Sequence, residues 1–152
     1  MTARSIGGRL LSITLVVVLA YFFSREHSSP QTHTFKASAA GNADRAVAAA
    51  MAAHQSNVAI LGEGTVVKLL PDDQRGSRHQ RFLLRLSSGA TLLVAHNIDL
   101  APRLDALRAG DSLRFAGEYV WNERGGVLHW THHDPQGQHR DGWLELADRR
   151  YQ

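Results

Sequence analysis

Six histidines and several aspartates are the side chains in the C-terminal part of this sequence that could carry chemistry. Neutral imidazole and carboxylate groups bind Zn²⁺, Mn²⁺, Fe²⁺ and Ni²⁺, so a divalent transition metal is a candidate cofactor. The candidate ligands, whether for a metal or for a small molecule, are His79, His96, Asp99, His129, His132, His133 and Asp134. The sixth histidine is His139.

The spacing of the histidines in residues 127–133 limits a metal site. If this segment is an extended strand, His129 and His133 share one face and lie about 13 Å apart at ~3.3 Å per residue. His132 then lies on the opposite face. A shared ion therefore requires the chain to bend at residues 132–135, or a histidine from a neighbouring strand such as His96.

A hydrogen-bonded network at the rim of the domain is the alternative that we favour for these residues. Asn97 or Asp99 can accept backbone N–H bonds at the start of a predicted helix. The segment around Asp134 and Pro135 is typical of a turn, in which the aspartate binds its own backbone. For these histidines and aspartates we thus rank a structural or ligand-orienting network first, a metal site second and acid–base catalysis third. The sequence does not assign an enzymatic activity.

A second group of side chains is a candidate ligand face, formed by Asp72, Asp73, Trp121, Asn122 and Trp130. Aromatic rings of this kind can stack on bases or sugars. Alternation, however, places Tyr119 and Trp121 in phase with Leu113 and Phe115, which favours the core for at least one of them. The adjacent carboxylates at 72 and 73 follow a proline and favour a turn over an acid–base pair.

Several reaction types are excluded or lack a signature. The chain has no cysteine, which excludes disulfides and cysteine nucleophiles. It also contains no nucleophile elbow, no phosphate-binding loop and no dinucleotide fingerprint.

The segments that must position these residues have the patterns of strands. Alternating or β-branched stretches predict strands at 65–70, 81–86, 91–96, 111–121 and 127–131, with a further short strand at 143–146. A short helix at 102–108 is predicted between the third and fourth strands, with Leu100, Leu104 and Leu107 on its buried side. We therefore predict a mainly β fold, a five-stranded OB-like barrel over residues 58–152. An SH3-like barrel and an open β-sandwich are the alternatives.

The N-terminal residues predict the location of the chain. Residues 10–23 are uncharged and apolar and follow Arg4 and Arg9, as in a secretory signal. No small-residue cleavage site follows closely, so we predict an uncleaved signal anchor at 1–23, with residues 6–23 in the bacterial inner membrane. The C-terminal domain then lies in the periplasm; cleavage and release there is the alternative. Residues 24–42 are predicted to be a linker, and 43–57 an Ala-rich helix that leans on the domain.

The distribution of charge argues against nucleic acid as the partner. The net charge of +3 arises in residues 1–57, which carry five basic and two acidic side chains. Residues 58–152 carry twelve of each. Phosphate neutralisation supplies most of the affinity for nucleic acid, and a balanced domain does not provide it.

Several sequence blocks resemble a known bacterial family, the domain of unknown function 3465. They are GTV at 64–66, LPDD at 70–73, HQRF at 79–82, AHNIDLAPR at 95–103, GEY at 117–119, WN at 121–122, GGV at 125–127 and HWTHHDP at 129–135. The resemblance covers roughly residues 58–152. It implies a short exported or membrane-anchored protein without an assigned activity, and it transfers no functional residue.

The expected function is a binding or interaction module of the cell envelope. Its ligand, a small molecule or an envelope protein, is expected between residues 71–79, 121–126 and 129–135, which flank the usual OB ligand face. One alternative is a metal-dependent hydrolase of the phosphodiesterase or nuclease type, using His96, His129, His133 and Asp134. The other is single-stranded nucleic-acid binding.

Overall fold

In residues 31–152, the fold is a ring of β-strands preceded by one helix. The computed structural model describes the backbone of residues 31–152 and the side chains of residues 41–152. The elements are α1 (Gln31–Ala52), β1 (Val58–Asp73), β2 (His79–Arg85), β3 (Thr91–Asn97), β4 (Ser112–Val120), β5 (Val127–His129), β6 (Trp143–Leu146) and β7 (Arg149–Tyr151). The predicted signal anchor lies outside the described residues. Within those residues, no helix is long and apolar enough to cross a membrane.

Five strands close on themselves in the order β1-β2-β3-β5-β4, and β4 pairs back with β1. All of these pairings are antiparallel except that of β3 with β5. Strand β1 is longer than predicted because its first half pairs with β4 and its second half with β2. The predicted strand at 143–146 is confirmed as β6, and it continues into β7, which the sequence did not predict.

The core lies inside the ring and follows the predicted alternation. Phe82, Leu84 and Leu86 are buried, as expected for one face of the second strand. Leu113, Phe115 and Tyr119 are buried on β4, so Tyr119 belongs to the core and is not available for stacking. The side chains between them point outward and form the outer face of the ring.

Helix α1 differs from its prediction in length and in burial. It begins at Gln31 instead of near residue 43, so residues 31–42 of the predicted linker are helical, and it ends at Ala52 instead of at residue 57. Ala43, Val47 and Ala50 are buried in the main core cluster, at the spacing of one helix face. A side chain at Gly62 would collide with Ala43, so the close approach depends on small residues. The helix is therefore part of the core.

The short helix predicted at 102–108 is replaced by turns. The side-chain amide of Gln80 accepts the Leu104 N–H at 2.9 Å and donates to the Leu104 carbonyl at 3.1 Å. These bonds occupy the Leu104 N–H and carbonyl groups, which would otherwise form hydrogen bonds within a helix. Gln80 of β2 therefore keeps this segment from becoming helical. Leu104 and Leu107 are buried as expected, whereas Leu100 is 49% exposed, contrary to prediction.

The last predicted strand of the ring stops two residues early. β5 ends at His129, and Trp130 adopts a left-handed conformation with φ of 51°. The alternation expected through residue 133 is therefore lost, and Thr131 and His132 are both buried. Gly117 permits this turn, because a Cβ there would lie 2.7 Å from the His129 carbonyl and 2.8 Å from the Thr131 methyl group.

Candidate functional site

Two adjoining cavities lie on the outer face of the ring, over β2, β3 and β5. Each has a volume of about 280 Å³, and both are lined by His79, Ala95 and His129. The strand register explains this. Arg81 lies opposite Ala95, and the buried pair Val94 and Leu128 on the parallel strands β3 and β5 places the next residues, Ala95 and His129, side by side on the outer face. The first cavity extends to Trp130, His132 and the 134–136 segment, and the second to Asp73 and Arg81.

His129 is the central polar residue of this face. Its Nε2 atom is fully buried and has no hydrogen-bond partner among the described residues. Oε1 of Glu118, on β4, lies 3.9 Å from this Nε2 atom. Burial lowers the pKa of His129 to about 4, and the nearby His139, His79 and His132 lower it further in the same direction. The imidazole is therefore neutral at pH 7.

Glu118 connects two histidines and was not among the residues predicted from the sequence. One carboxylate oxygen faces His129, and the other lies 3.8 Å from Nδ1 of His139. The ring of His139 in turn stacks on Trp130, with centroids 3.7 Å apart. A signal for Glu118 existed in the sequence: on the predicted hairpin of the fourth and fifth strands it lies directly opposite His129.

Two aspartates shape the loop at residues 131–142. The carboxylate of Asp134 accepts the backbone N–H groups of Gln136, Gln138 and His139 at 2.9, 2.6 and 2.6 Å. The bonds from Gln136 and His139 hold the pKa of Asp134 below its usual value. Asp141 accepts the N–H of Asp134 and pairs with His133 at 2.9 Å. The prediction that Asp134 binds its own backbone in a turn is confirmed.

His96 lies inside the ring, away from the cavities. Its Nε2–H donates to the carbonyl of Pro102 at 3.2 Å, and Nδ1 accepts the Thr131 hydroxyl at 2.9 Å. Burial lowers the pKa of His96 to about 4. His132 is also buried, and its Nδ1 donates to the carbonyl of His133 at 2.7 Å.

The remaining predicted aspartates have mostly structural contacts. Asp99 accepts the Arg78 backbone N–H and its Nε–H, both at 2.7 Å, and so anchors the loop before β2. Asp72 pairs with Arg103 at 3.2 Å. Asp73 lines the second cavity, and its carboxylate accepts the Arg75 N–H.

Trp121 and Asn122 stand apart from the cavities. Trp121 stacks on His54, with centroids 4.1 Å apart, and the backbone N–H of Trp121 donates to the Ser56 hydroxyl. The side-chain oxygen of Asn122 accepts the N–H groups of Arg124 and Gly126, which closes the turn before β5. Of the predicted ligand face, Asp73 and Trp130 line the two cavities described above.

The structure divides the set proposed for a metal-dependent hydrolase. His96 lies inside the ring, His129 lies on its outer face, and the exposed His133 pairs with Asp141. Among the residues whose side chains are described, no group of three or more His, Asp or Glu is arranged to hold a metal ion.

These features define a mainly β protein whose ring of five strands carries, on its outer face, two cavities lined in common by His79, Ala95 and His129. The chain belongs to the family described as "Protein of unknown function (DUF3465)", whose family model matches residues 31–152. The resemblance seen in the sequence is therefore confirmed, and the match includes helix α1. No curated protein matches the chain.

Proposed function

We propose that this chain is an OB-like barrel that acts as a ligand-binding module of the cell envelope. The strand order β1-β2-β3-β5-β4, with β4 returning to β1, is that of the five-stranded OB barrel and supports this assignment. The long, shared β1 agrees with it, because one curved strand must pair with two neighbours to close a small barrel.

The observation that carries the binding proposal is the pair of cavities sharing His79, Ala95 and His129. They lie between the loop after β1 and the segment after β5. OB barrels bind oligonucleotides and oligosaccharides on a comparable face. The shared lining comes from β2, β3 and β5, so this part of the site is held by paired strands and is formed before a ligand arrives.

The location in the envelope is part of the proposal and rests on the N-terminal sequence. The apolar run at 10–23 after Arg4 and Arg9 supports an inner-membrane anchor with the module in the periplasm. An alkaline phosphatase fusion placed after Gln152 tests this. Activity of the fused phosphatase in intact cells is expected, and an inactive fusion would argue against the periplasmic location.

Binding takes precedence over the two alternative functions. The hydrolase set is split between the inside and the outside of the ring, so it provides no shared centre. Single-stranded nucleic acid requires a basic face, whereas residues 58–152 carry equal numbers of acidic and basic side chains.

A fragment screen by nuclear magnetic resonance tests the binding site itself. The ¹⁵N-labelled full-length chain is titrated with a mixed library of sugars, short peptides, nucleotides, inorganic anions and divalent metal salts. Fragments that bind are expected to shift the amide signals of His79, Ala95 and His129. The internal comparison is a separate cavity of about 400 Å³ near Leu61 and Trp143. Shifts confined to that cavity, or no shifts at all, would overturn the proposed function.

A further inference from the structure

The charged groups that line the second cavity cancel each other. Asp73 and Arg81 are its carboxylate and guanidinium side chains. Both are held in place, since Asp73 accepts the Arg75 N–H at 3.0 Å and Arg81 Nε donates to the Pro71 carbonyl at 3.0 Å. A charged ligand would meet one like charge here and would lose solvation on entry. The presence of one carboxylate and one guanidinium in the same cavity favours a ligand without net charge.

Glu118 determines which ring nitrogen of His129 can meet a ligand. A lone pair on Nε2 would face the negative Oε1 atom at 3.9 Å, whereas an N–H there is attracted to it. The neutral ring is therefore protonated on Nε2. Because Nε2 is buried, Nδ1 is the nitrogen that a ligand can reach, and it carries a lone pair. His129 thus offers a hydrogen-bond acceptor.

Most of the remaining lining is apolar or amide, and the Asp134 carboxylate of the first cavity already accepts three backbone N–H groups. Trp130, Leu100 and Pro135 border the first cavity, and Val120 and Val127 border the second. Asn97 and Gln136 add side-chain amides. At about 280 Å³, each cavity is close to the lower end of the range for small-molecule sites, so the two together suit a ligand of about two sugar rings.

We propose, on the basis of the binding function above, that this face takes a neutral, hydroxyl-rich ligand of the saccharide class, with a ligand hydroxyl donating to Nδ1 of His129. The Asp73 carboxylate accepts from further ligand hydroxyl groups, and the Arg81 guanidinium donates to them. The C–H faces of the ligand pack on the apolar lining. Glu118 is a positioning residue, which acts through the tautomer of His129.

The first test is the binding of neutral disaccharides to the full-length chain. Tryptophan fluorescence and calorimetry follow titration with maltose, cellobiose, N,N′-diacetylchitobiose and trehalose, and with sodium phosphate as the anionic comparison. Saturable binding of at least one disaccharide is expected at millimolar or lower concentration. His129→Ala is expected to weaken it by about tenfold, the effect of one strong hydrogen bond. His54→Ala is the matched histidine control, because His54 is exposed and lies against Trp121, apart from both cavities.

The second test measures the tautomer of His129 without any ligand. Long-range ¹H–¹⁵N spectra are expected to show protonated Nε2 and unprotonated Nδ1 in the wild-type chain, and a mixture of tautomers in Glu118→Gln. A wild-type ring protonated on Nδ1 would overturn the inference, as would a tautomer that Glu118→Gln does not change.

Different experimental outcomes would overturn the saccharide inference and the proposed binding function. If fragments shift His79, Ala95 and His129 but no disaccharide binds, the saccharide inference is wrong and the binding function stands. Phosphate binding at this face in preference to disaccharides likewise overturns the saccharide inference alone. If no fragment maps to the face, the proposed function itself fails.

Discussion

The hydroxyl of Thr131 donates to Nδ1 of His96 at 2.9 Å and joins the segment after β5 to the inside of β3. His96 also binds the Pro102 carbonyl. One buried imidazole therefore connects three parts of the chain: a strand of the ring, the turns after it and the loop that borders the first cavity. Its protonation state matters to the whole domain.

Acidification is expected to destabilise the fold through His96. Its pKa is about 4 in the folded chain and 6.5 in the unfolded chain, so the unfolded state binds the proton more tightly. The stabilisation is complete above pH 6.5 and is lost as the pH falls from 6.5 to about 4, amounting to about 3 kcal/mol. Urea unfolding followed by circular dichroism at several pH values measures this.

His129 contributes in the same direction, so variants must separate the two residues. His96→Gln is expected to flatten the pH dependence more than His129→Gln does, since the side chain of His129 remains 33% exposed. An unfolding free energy of the wild-type chain that stays constant between pH 7 and pH 4.5 would contradict the prediction.

Replacing Gln80 should release the segment at 102–108. Gln80→Leu removes both bonds to Leu104 and leaves a buried N–H and a buried carbonyl unpaired, at a cost of about 2–4 kcal/mol. Thermal unfolding gives the cost, and hydrogen exchange of the Leu104 amide locates it. The exposed Arg85→Ala on the same strand should stay within about 0.5 kcal/mol of wild type. Unchanged protection of the Leu104 amide from hydrogen exchange in Gln80→Leu would show that its bond to Gln80 does not stabilise this segment.

A methyl group at Gly62 should force helix α1 away from the ring. The Cβ atom of Gly62→Ala would collide with Ala43 and lie 2.9 Å from the Phe115 ring, and such overpacking costs about 1–3 kcal/mol. Ala43→Gly in the same chain restores space, so the double variant should recover part of the loss. Additive effects in the unfolding free energy would show that the two residues do not meet.

The conformation of the loop that carries His139 should depend on Asp134. Asp134→Ala removes acceptors for three backbone N–H groups, so the amides of Gln138 and His139 should exchange faster with solvent. The His139 ring is then expected to leave Trp130, which changes the tryptophan fluorescence. Asp105→Ala is a suitable control, because Asp105 is exposed and pairs with Arg103 outside this loop. Equal exchange rates in both variants would contradict this role of Asp134.

Much of the ring could be predicted from the sequence because strand formation here is local. Alternation in residues 81–86 and 111–121 is enough to identify the inward side chains. The turn at Asp134 was equally predictable, since an aspartate that binds nearby backbone N–H groups needs no distant partner. The prediction of a helix at 102–108 was wrong for the opposite reason. The side chain of Gln80, 24 residues earlier in the chain, forms hydrogen bonds with the backbone groups of Leu104.

The strands and their inward faces can be read from the amino-acid sequence, because they depend on neighbours along the chain. The role of each histidine depends on the tertiary structure. Closing the ring put His96 inside and His129 outside, and the pairing of β4 with β5 placed Glu118 opposite His129. The left-handed turn at Trp130 then led the chain into the loop that brings His139 onto the same carboxylate. These contacts join residues far apart in sequence, so no local pattern contains them.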